Sequence, residues 1–245
     1  MLKTKEEIEN WLEQHYIYNY TINDDFTVNV HEDVCLNKNT PNILVQFNTI
    51  EGNFVCSSIG LQSLKGSPKV VKGSFICEGN PLTSLKYGPI EVHRDFSCNY
   101  TQIQDLQFSP KKVGRHFSCY SCELRSFWGC PKKIFGNFYC SENHIKSFQY
   151  LPKSIKGSFA GHTNQFDSFK HFPKHVGQSI LLNNNPLTVE MLVDFNSTFD
   201  DIKCDFASDK NEFLLLSDMI KAKKEKEILD NSLLNNVTHK SKQRL

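Results

Sequence analysis

The chain has 245 residues, with 28 lysine and arginine residues against 27 aspartate and glutamate residues, and a formal net charge of +1 at pH 7. This balance gives no global attraction to nucleic acid or to a membrane surface. No apolar run is long enough to span a bilayer, and the charged residues 1–7 lack the apolar core of a signal peptide. We therefore expect a cytoplasmic protein.

The first predicted element is a helix over residues 4–15, because Thr4 and Glu7 have the spacing of a capping box. Three apolar residues share one face at helical spacing: Ile8, Trp11 and Leu12. Residues 17–30 then alternate as two strands around an Asn-Asp-Asp turn, which predicts a β-hairpin. We expect residues 1–32 to cap a repeat array, whose first coil would otherwise expose its core and its strand edge.

From residue 33 to residue 187 the sequence repeats every 21 residues. A Phe-x-Cys pair marks the register, at Phe54/Cys56, Phe75/Cys77, Phe96/Cys98, Phe117/Cys119 and Phe138/Cys140. Apolar residues recur seven, ten and seventeen places after the Phe, and a proline recurs fourteen places after it. A fixed period in the twenties is typical of a solenoid, in which each coil contacts only its neighbours around one continuous core.

An Asn column accompanies the Phe-x-Cys pairs, with the members Asn80, Asn143, Asn164 and Asn185. We expect each buried amide to hydrogen-bond backbone groups of its own turn and of the adjacent coil, which would otherwise lack partners. The proline in every coil predicts an extended rather than a helical back, because a proline inside a helix costs about 3 kcal/mol.

The consensus F-x-C-x-x-N-x-L-x-x-L-x-x-x-P-x-x-V resembles the leucine-rich repeat, L-x-L-x-x-N/C-x-L, with Phe and Cys in the first two leucine places. At 21 residues it resembles the short bacterial type. The use of Phe and Cys in these places, together with the segment at residues 19–25 before the array, is similar to leucine-rich-repeat proteins of large T4-like bacteriophages. The similarity covers about residues 17–200. The resemblance implies a β-rich solenoid of parallel strands and a viral setting, and it implies no activity.

Six of the nine cysteines fall in one column: Cys35, Cys56, Cys77, Cys98, Cys119 and Cys140. We interpret this column as an inward ladder of small core residues. Neighbouring coils lie about 4.8 Å apart, and a disulfide between adjacent rungs would be strained. Only Cys119 and Cys122 have the C-x-x-C spacing typical of zinc sites, and both fall on packing positions. We predict no metal and no cofactor.

After the array the repeat fails, because Glu190 stands where an apolar residue is expected. Residues 188–236 are predicted to form a helical cap, with a short helix, a short strand over 202–206 and then a longer helix. Residues 237–245 are predicted to be a flexible tail.

Enzyme motifs are missing from the sequence, which has no G-x-x-x-x-G-K-[ST], no G-x-S-x-G and no H-E-x-x-H. Some short bacterial leucine-rich repeats are fused to a ubiquitin-ligase domain with a nucleophilic cysteine. About 60 residues with the single Cys204 follow this array, which is too little for such a domain. We expect a binding protein rather than an enzyme.

The outward residues beside the Phe and Cys columns are small in the outer coils but aromatic and basic in the middle coils. Most coils carry Gly two places before the Phe, whereas two central coils carry Arg94 and Arg115. Tyr and Arg anchor many protein interfaces. We predict a protein-binding patch on the exposed strand face, made of Arg94, Tyr100, Arg115, His116, Tyr120 and Tyr139. Ordinary drift between repeats is an equally open interpretation.

A lysine row follows the prolines, at Lys69, Lys111, Lys132, Lys153 and Lys174, doubled by Lys112 and Lys133. Such a row could follow a nucleic-acid backbone. We favour solubility and edge protection instead, because acidic residues elsewhere balance the charge. The predicted function is therefore non-catalytic binding of a host or viral protein, for example to inhibit a host enzyme or defence system. A structural virion component and nucleic-acid binding through the lysine row are the alternatives.

Overall fold

The computed structural model describes residues 1–38, 40–188, 191, 201–203, 225 and 229. Its elements in chain order are α1 (Lys5–Gln14), β1 (Tyr20–Ile22), β2 (Thr27–Val30), β3 (Val34–Cys35), β4 (Gln46–Ile50), β5 (Phe54–Val55), β6 (Val70–Val71), β7 (Phe75–Ile76), β8 (Glu91–Val92), β9 (Phe96–Ser97), β10 (Lys112–Val113), β11 (Phe117–Ser118), β12 (Phe138–Tyr139), β13 (Ser154–Ile155), β14 (Phe159–Ala160), β15 (His175–Val176), β16 (Ser179–Leu181) and β17 (Asp201–Lys203).

These strands form a parallel β-solenoid of about seven coils, which confirms the predicted β-rich solenoid. One strand per coil enters the nine-stranded Phe sheet, in the order β17-β16-β14-β12-β11-β9-β7-β5-β3. A second strand enters the Val sheet, in the order β1-β2-β4-β6-β8-β10, and bridges through Ile134 lead on to β13 and β15. Three corner residues separate the two strands of a coil, as between Val71 and Phe75.

The helix and hairpin predicted for the first residues are present. The Thr4 side chain accepts a hydrogen bond from the Glu7 N–H, which completes a capping box at the start of α1. The helix buries Ile8, Trp11 and Leu12, and the Trp11 ring meets Phe47 edge-on with 6.1 Å between centroids. β1 and β2 pair antiparallel, and β2 pairs parallel with β4, so the hairpin continues directly into the Val sheet.

The Phe column forms the centre of the core. Register in the Phe sheet places the Phe residues from Phe54 to Phe159 one on the next, for example Phe75 on Phe96, and Phe159 lies on Ile180. The two rings are nearly parallel, with centroids 5.7 Å apart and 6° between planes. Beside them the cysteine column is fully buried from Cys56 to Cys140, and each thiol from Cys77 onward donates to a carbonyl of the next coil at 3.4–3.5 Å.

The predicted place of Cys35 in this ladder is wrong. β3 pairs with β5 so that Val34 lies opposite Phe54 and Cys35 opposite Val55, which makes this coil one residue shorter than the period. A shift of one residue turns every side chain of a strand to the other face. Val34 and Leu36 are therefore buried, and Cys35 is exposed. The shift also spares the Asp33 carboxylate from burial, which would be costly.

The cysteines should differ accordingly in reactivity. Burial raises the pKa of Cys77, Cys119 and Cys140, which leaves them little reactive thiolate. In a Cys204→Ser background, which removes the cysteine outside the described residues, a maleimide should label Cys35 in the native protein. The five ladder thiols from Cys56 to Cys140 should react only in denaturant, as intact mass and peptide mapping would show. Native labelling that persists after Cys35→Ser and maps to Cys77, Cys98, Cys119 or Cys140 would contradict the ladder.

The Asn column makes the predicted backbone hydrogen bonds. The Asn80 amide donates to the Cys56 carbonyl at 2.8 Å and to the Cys77 carbonyl at 3.0 Å, and its oxygen accepts from the Leu61 N–H at 3.0 Å. Asn143, Asn164 and Asn185 repeat this arrangement in later coils. One side chain thus joins two coils and satisfies groups on both.

At the C-terminal end of the described coils, β17 pairs parallel with β16 and extends the Phe sheet. It overlaps the strand predicted over residues 202–206. The predicted cap helices and the predicted tail over residues 237–245 lie outside the described residues, apart from isolated positions. Within the part of the chain that the structure describes, no helix is long and apolar enough to cross a membrane.

Candidate binding surface on the Phe sheet

The six residues of the predicted patch all lie on the outward side of the Phe sheet or at its ends, and none of them is in the core. Exposed side chains belong to Arg94, Tyr100 and Arg115, while His116, Tyr120 and Tyr139 are partly buried. The structure divides them into a tyrosine pair beyond the carboxyl ends of the strands and a histidine cluster at the amino ends.

The tyrosine pair joins adjacent coils. The Tyr100 and Tyr120 rings meet edge-on, with 5.4 Å between centroids and 82° between planes. The Tyr120 hydroxyl donates to the Glu142 carboxylate in the next coil. This hydrogen bond, with burial and the negative charge of Glu142, raises the pKa of Tyr120 to about 12. The hydrogen bond thus ties the Tyr120 side chain to the neighbouring coil.

Tyr100 also has an unusual backbone. Its φ is +56°, in the left-handed region that bulky residues avoid. The same place in each coil is left-handed throughout the array, with Gly79 as its only glycine among the described residues. A large exposed aromatic residue in a strained conformation is a reasonable starting point for a functional hypothesis.

The histidine cluster lies at the other end of the strands. His116 and Tyr139 have ring centroids 6.2 Å apart. The His116 Nδ1 accepts from the Asn137 N–H at 2.8 Å, so in the neutral ring Nε2 carries the proton. The Arg115 guanidinium lies 3.8 Å from the Asp95 carboxylate, which also accepts from the His116 N–H at 3.1 Å.

A polar network lies between the two groups and was missed by sequence reasoning. Asn99 donates to the Glu78 carboxylate at 2.9 Å and accepts from the Ser118 hydroxyl at 2.6 Å and the Tyr120 N–H at 2.8 Å. Glu78, Asn99 and Tyr120 stand 21 residues apart in one outward column, which is the signal that could have identified the network. These bonds hold the surface in one arrangement before any partner binds.

The arginine positions have a partly structural explanation. In the coil of Arg115 the corner glycine has moved one place earlier, to Gly114, where an added Cβ would lie 2.0 Å from the His93 carbonyl oxygen. Arg115 therefore stands where the corner no longer needs glycine. The coil of Arg94 has no glycine at either of the two equivalent corner positions, 93 and 94. Gly114 therefore explains Arg115, but no shifted glycine explains Arg94.

The described residues contain no candidate metal site, because no group of three or more of their His, Cys, Asp or Glu side chains is placed to hold an ion. No family model, no curated protein and no solved structure matches this chain. Fold and surface chemistry therefore carry the functional argument.

Proposed function

We propose that this chain is a non-catalytic module that binds another protein against the outward face of the Phe sheet. The observation that carries the proposal is the pair of aromatic contacts, Tyr100 with Tyr120 and His116 with Tyr139, on adjacent coils of one sheet. Tyrosine and arginine are the side chains that dominate interface energetics. The Asn99 network holds this surface in place, which lowers the entropy lost on binding.

The repeat pattern supports a more specific setting. We infer that the coils are leucine-rich repeats of the type found in large T4-like bacteriophages, because the Phe and Cys columns with the bonded Asn column agree with that pattern. The partner is then a host or viral protein met in the host cytoplasm. Inhibition of a host enzyme or defence system is a role that needs a binding surface and no catalytic groups.

The double variant Arg115→Ala with Tyr120→Ala tests the surface. Affinity capture from infected cells with mass spectrometry first identifies the partner, and calorimetry then measures its binding. We expect the variant to bind at least about 30-fold more weakly, since both side chains belong to the proposed anchor set. The thermal unfolding midpoint should barely change, because neither side chain contributes to the core.

The matched control is Lys3→Ala with Tyr18→Ala, which removes an exposed cation and an exposed tyrosine away from the Phe sheet. This control should bind like the parent protein. A partner footprint on the Val sheet or on α1, with equal affinity for both double variants, would refute the proposal. Recovery of the chain as a stoichiometric part of purified virus particles would favour a structural virion component instead.

A further inference from the structure

Each coil contains a β-turn between its second apolar position and its proline. The turn is closed by a backbone hydrogen bond, such as Gly88 N–H to the Leu85 carbonyl at 3.0 Å. Its third residue has a positive φ in every one of six coils: Gly66, Tyr87, Phe108, Gly129, Tyr150 and His171. A left-handed third residue is the requirement of a type II turn, and it favours glycine because a Cβ is crowded there. Only two of these coils carry glycine.

The residues that replace glycine are large, aromatic and exposed. Tyr87 is 54% exposed, Phe108 56% and Tyr150 47%. In the coil of Gly129 the preceding residue, Trp128, is 57% exposed and stacks on Tyr150 with 6.5 Å between centroids. We call Tyr87, Phe108, Trp128 and Tyr150 the aromatic ridge. Tyr87, Phe108 and Tyr150 combine a left-handed backbone with an exposed ring, and Trp128 is similarly exposed beside the left-handed Gly129, so the needs of the core do not explain these side chains.

A basic groove adjoins the ridge. It has a volume of about 620 Å³, and its lining includes Lys132, Lys133, Lys153 and Lys156 with Phe135 and Leu151. Leu151 directly follows Tyr150 in the chain, so the groove begins where the ridge ends. None of the lining residues is acidic, and none of the four lysines pairs with a described carboxylate. Lys112, in the preceding coil, differs because it pairs with Glu91 at 2.6 Å.

We propose that the aromatic ridge and the lysine groove together bind single-stranded nucleic acid, which replaces the role in solubility that the sequence favoured for Lys132, Lys133 and Lys153. Flat rings repeated along the solenoid axis offer surfaces on which bases stack, and the unpaired lysines offer charge to the phosphates. Lys156 already lies over the Phe135 ring, at 5.7 Å from its centroid, which places cation and aromatic surface together. In a duplex the bases are paired inside the helix, so its phosphates could contact the lysines but its bases could not stack on the aromatic ridge. The site is separate from the Phe-sheet patch.

Binding is tested with fluorescein-labelled oligo(dT) and oligo(U) of about 20 nucleotides, a length that exceeds typical single-strand site sizes. Anisotropy should show binding at least about tenfold tighter to either single strand than to a duplex of equal length. Four lysines on phosphates predict a slope of log affinity against log salt of about −3. In a Trp11→Phe variant, Trp128 is the sole tryptophan, and its fluorescence should be quenched by the bound strand.

The decisive variant is Tyr150→Gly, which removes a ridge ring and supplies the residue that the turn favours. Affinity should fall at least about fivefold, while the thermal unfolding midpoint stays or rises. Tyr16→Gly is the matched control, because Tyr16 is also left-handed, at φ +59°, and exposed, at 74%, but lies outside the ridge. It should bind normally.

Lys132→Gln with Lys153→Gln should flatten the salt slope by about 1.4, since each phosphate contact contributes about 0.7 for a single strand. Three results would overturn the proposal. They are no binding of the oligonucleotides at 50 mM salt, equal binding of duplex and single strand, or unchanged affinity in Tyr150→Gly.

Discussion

Replacing Phe117 by alanine should lower the free energy of unfolding by about 3–5 kcal/mol. The ring is fully buried, with Phe96 stacked on one side at 5.0 Å and Phe138 edge-on at 5.5 Å on the other. Its removal takes a packing partner from both neighbours. The cavity cannot collapse easily, because parallel pairing to β9 and β12 holds the backbone of β11. Denaturant unfolding followed by circular dichroism measures the loss.

Phe135→Ala is the matched control for this experiment. The Phe135 ring is exposed on the outer side of the solenoid, so its removal should change the free energy of unfolding by less than about 1 kcal/mol. A loss at Phe117 as small as that at Phe135 would mean that the 21-residue register does not define the core.

Replacing Asn143 by alanine should cost about 3 kcal/mol or more, although the side chain is polar. Its amide donates to the carbonyls of Cys119 and Cys140 at 2.9 and 3.0 Å, and its oxygen accepts from the Leu124 N–H at 3.0 Å. Alanine leaves these buried groups without partners, and each such group costs about 1–3 kcal/mol. Because the bonds span two coils, the variant should also loosen the contact between them, which amide hydrogen exchange at Leu124 would report.

Two comparisons define the role of the Asn column. Gln149→Ala, an exposed amide in the same coil, should change stability by less than about 0.5 kcal/mol. Asn143→Thr should cost less than Asn143→Ala, because Thr101 in the same column keeps a hydrogen bond to the Cys98 carbonyl at 2.8 Å. Asn143→Ala as mild as Gln149→Ala would show that the backbone groups find other partners.

The candidate site was only partly predictable. Parity along a strand was enough to place His116 and Tyr139 on the outward side. Arg115 has the same parity as the buried Phe117, and it is exposed because it lies at the corner before β11. Contacts such as Tyr120 to Glu142 join residues of different coils, and their existence depends on side-chain rotamers that the repeat does not specify. Likewise, the glycine at residue 114 explains its neighbour Arg115 only once the corner and its approach to His93 are seen.

The aromatic ridge corresponds to a column of the repeat that is visible in the sequence. Twelve places after the Phe, one column holds either glycine or an aromatic residue: Gly66, Tyr87, Phe108, Gly129, Tyr150 and His171. A column that accepts both glycine and large side chains indicates an exposed place with a positive φ. Hydrophobicity alone would have assigned such residues to the core, and the structure shows the tyrosines and Phe108 on the surface.

The 21-residue period by itself determined which side chains of the array are buried, because every coil must offer its neighbours the same core. It also determined the bonded Asn column, and the local pattern at Thr4 and Glu7 determined the start of α1. Only the tertiary structure decided the register of β3, which turned Cys35 outward, and the meeting of ridge and groove. The register of β3 depends on contacts between coils, because the cost of burying Asp33 outweighs the tendency to keep the repeat period. The position of the ridge depends on the sign of φ at the turns, where a Cβ is crowded.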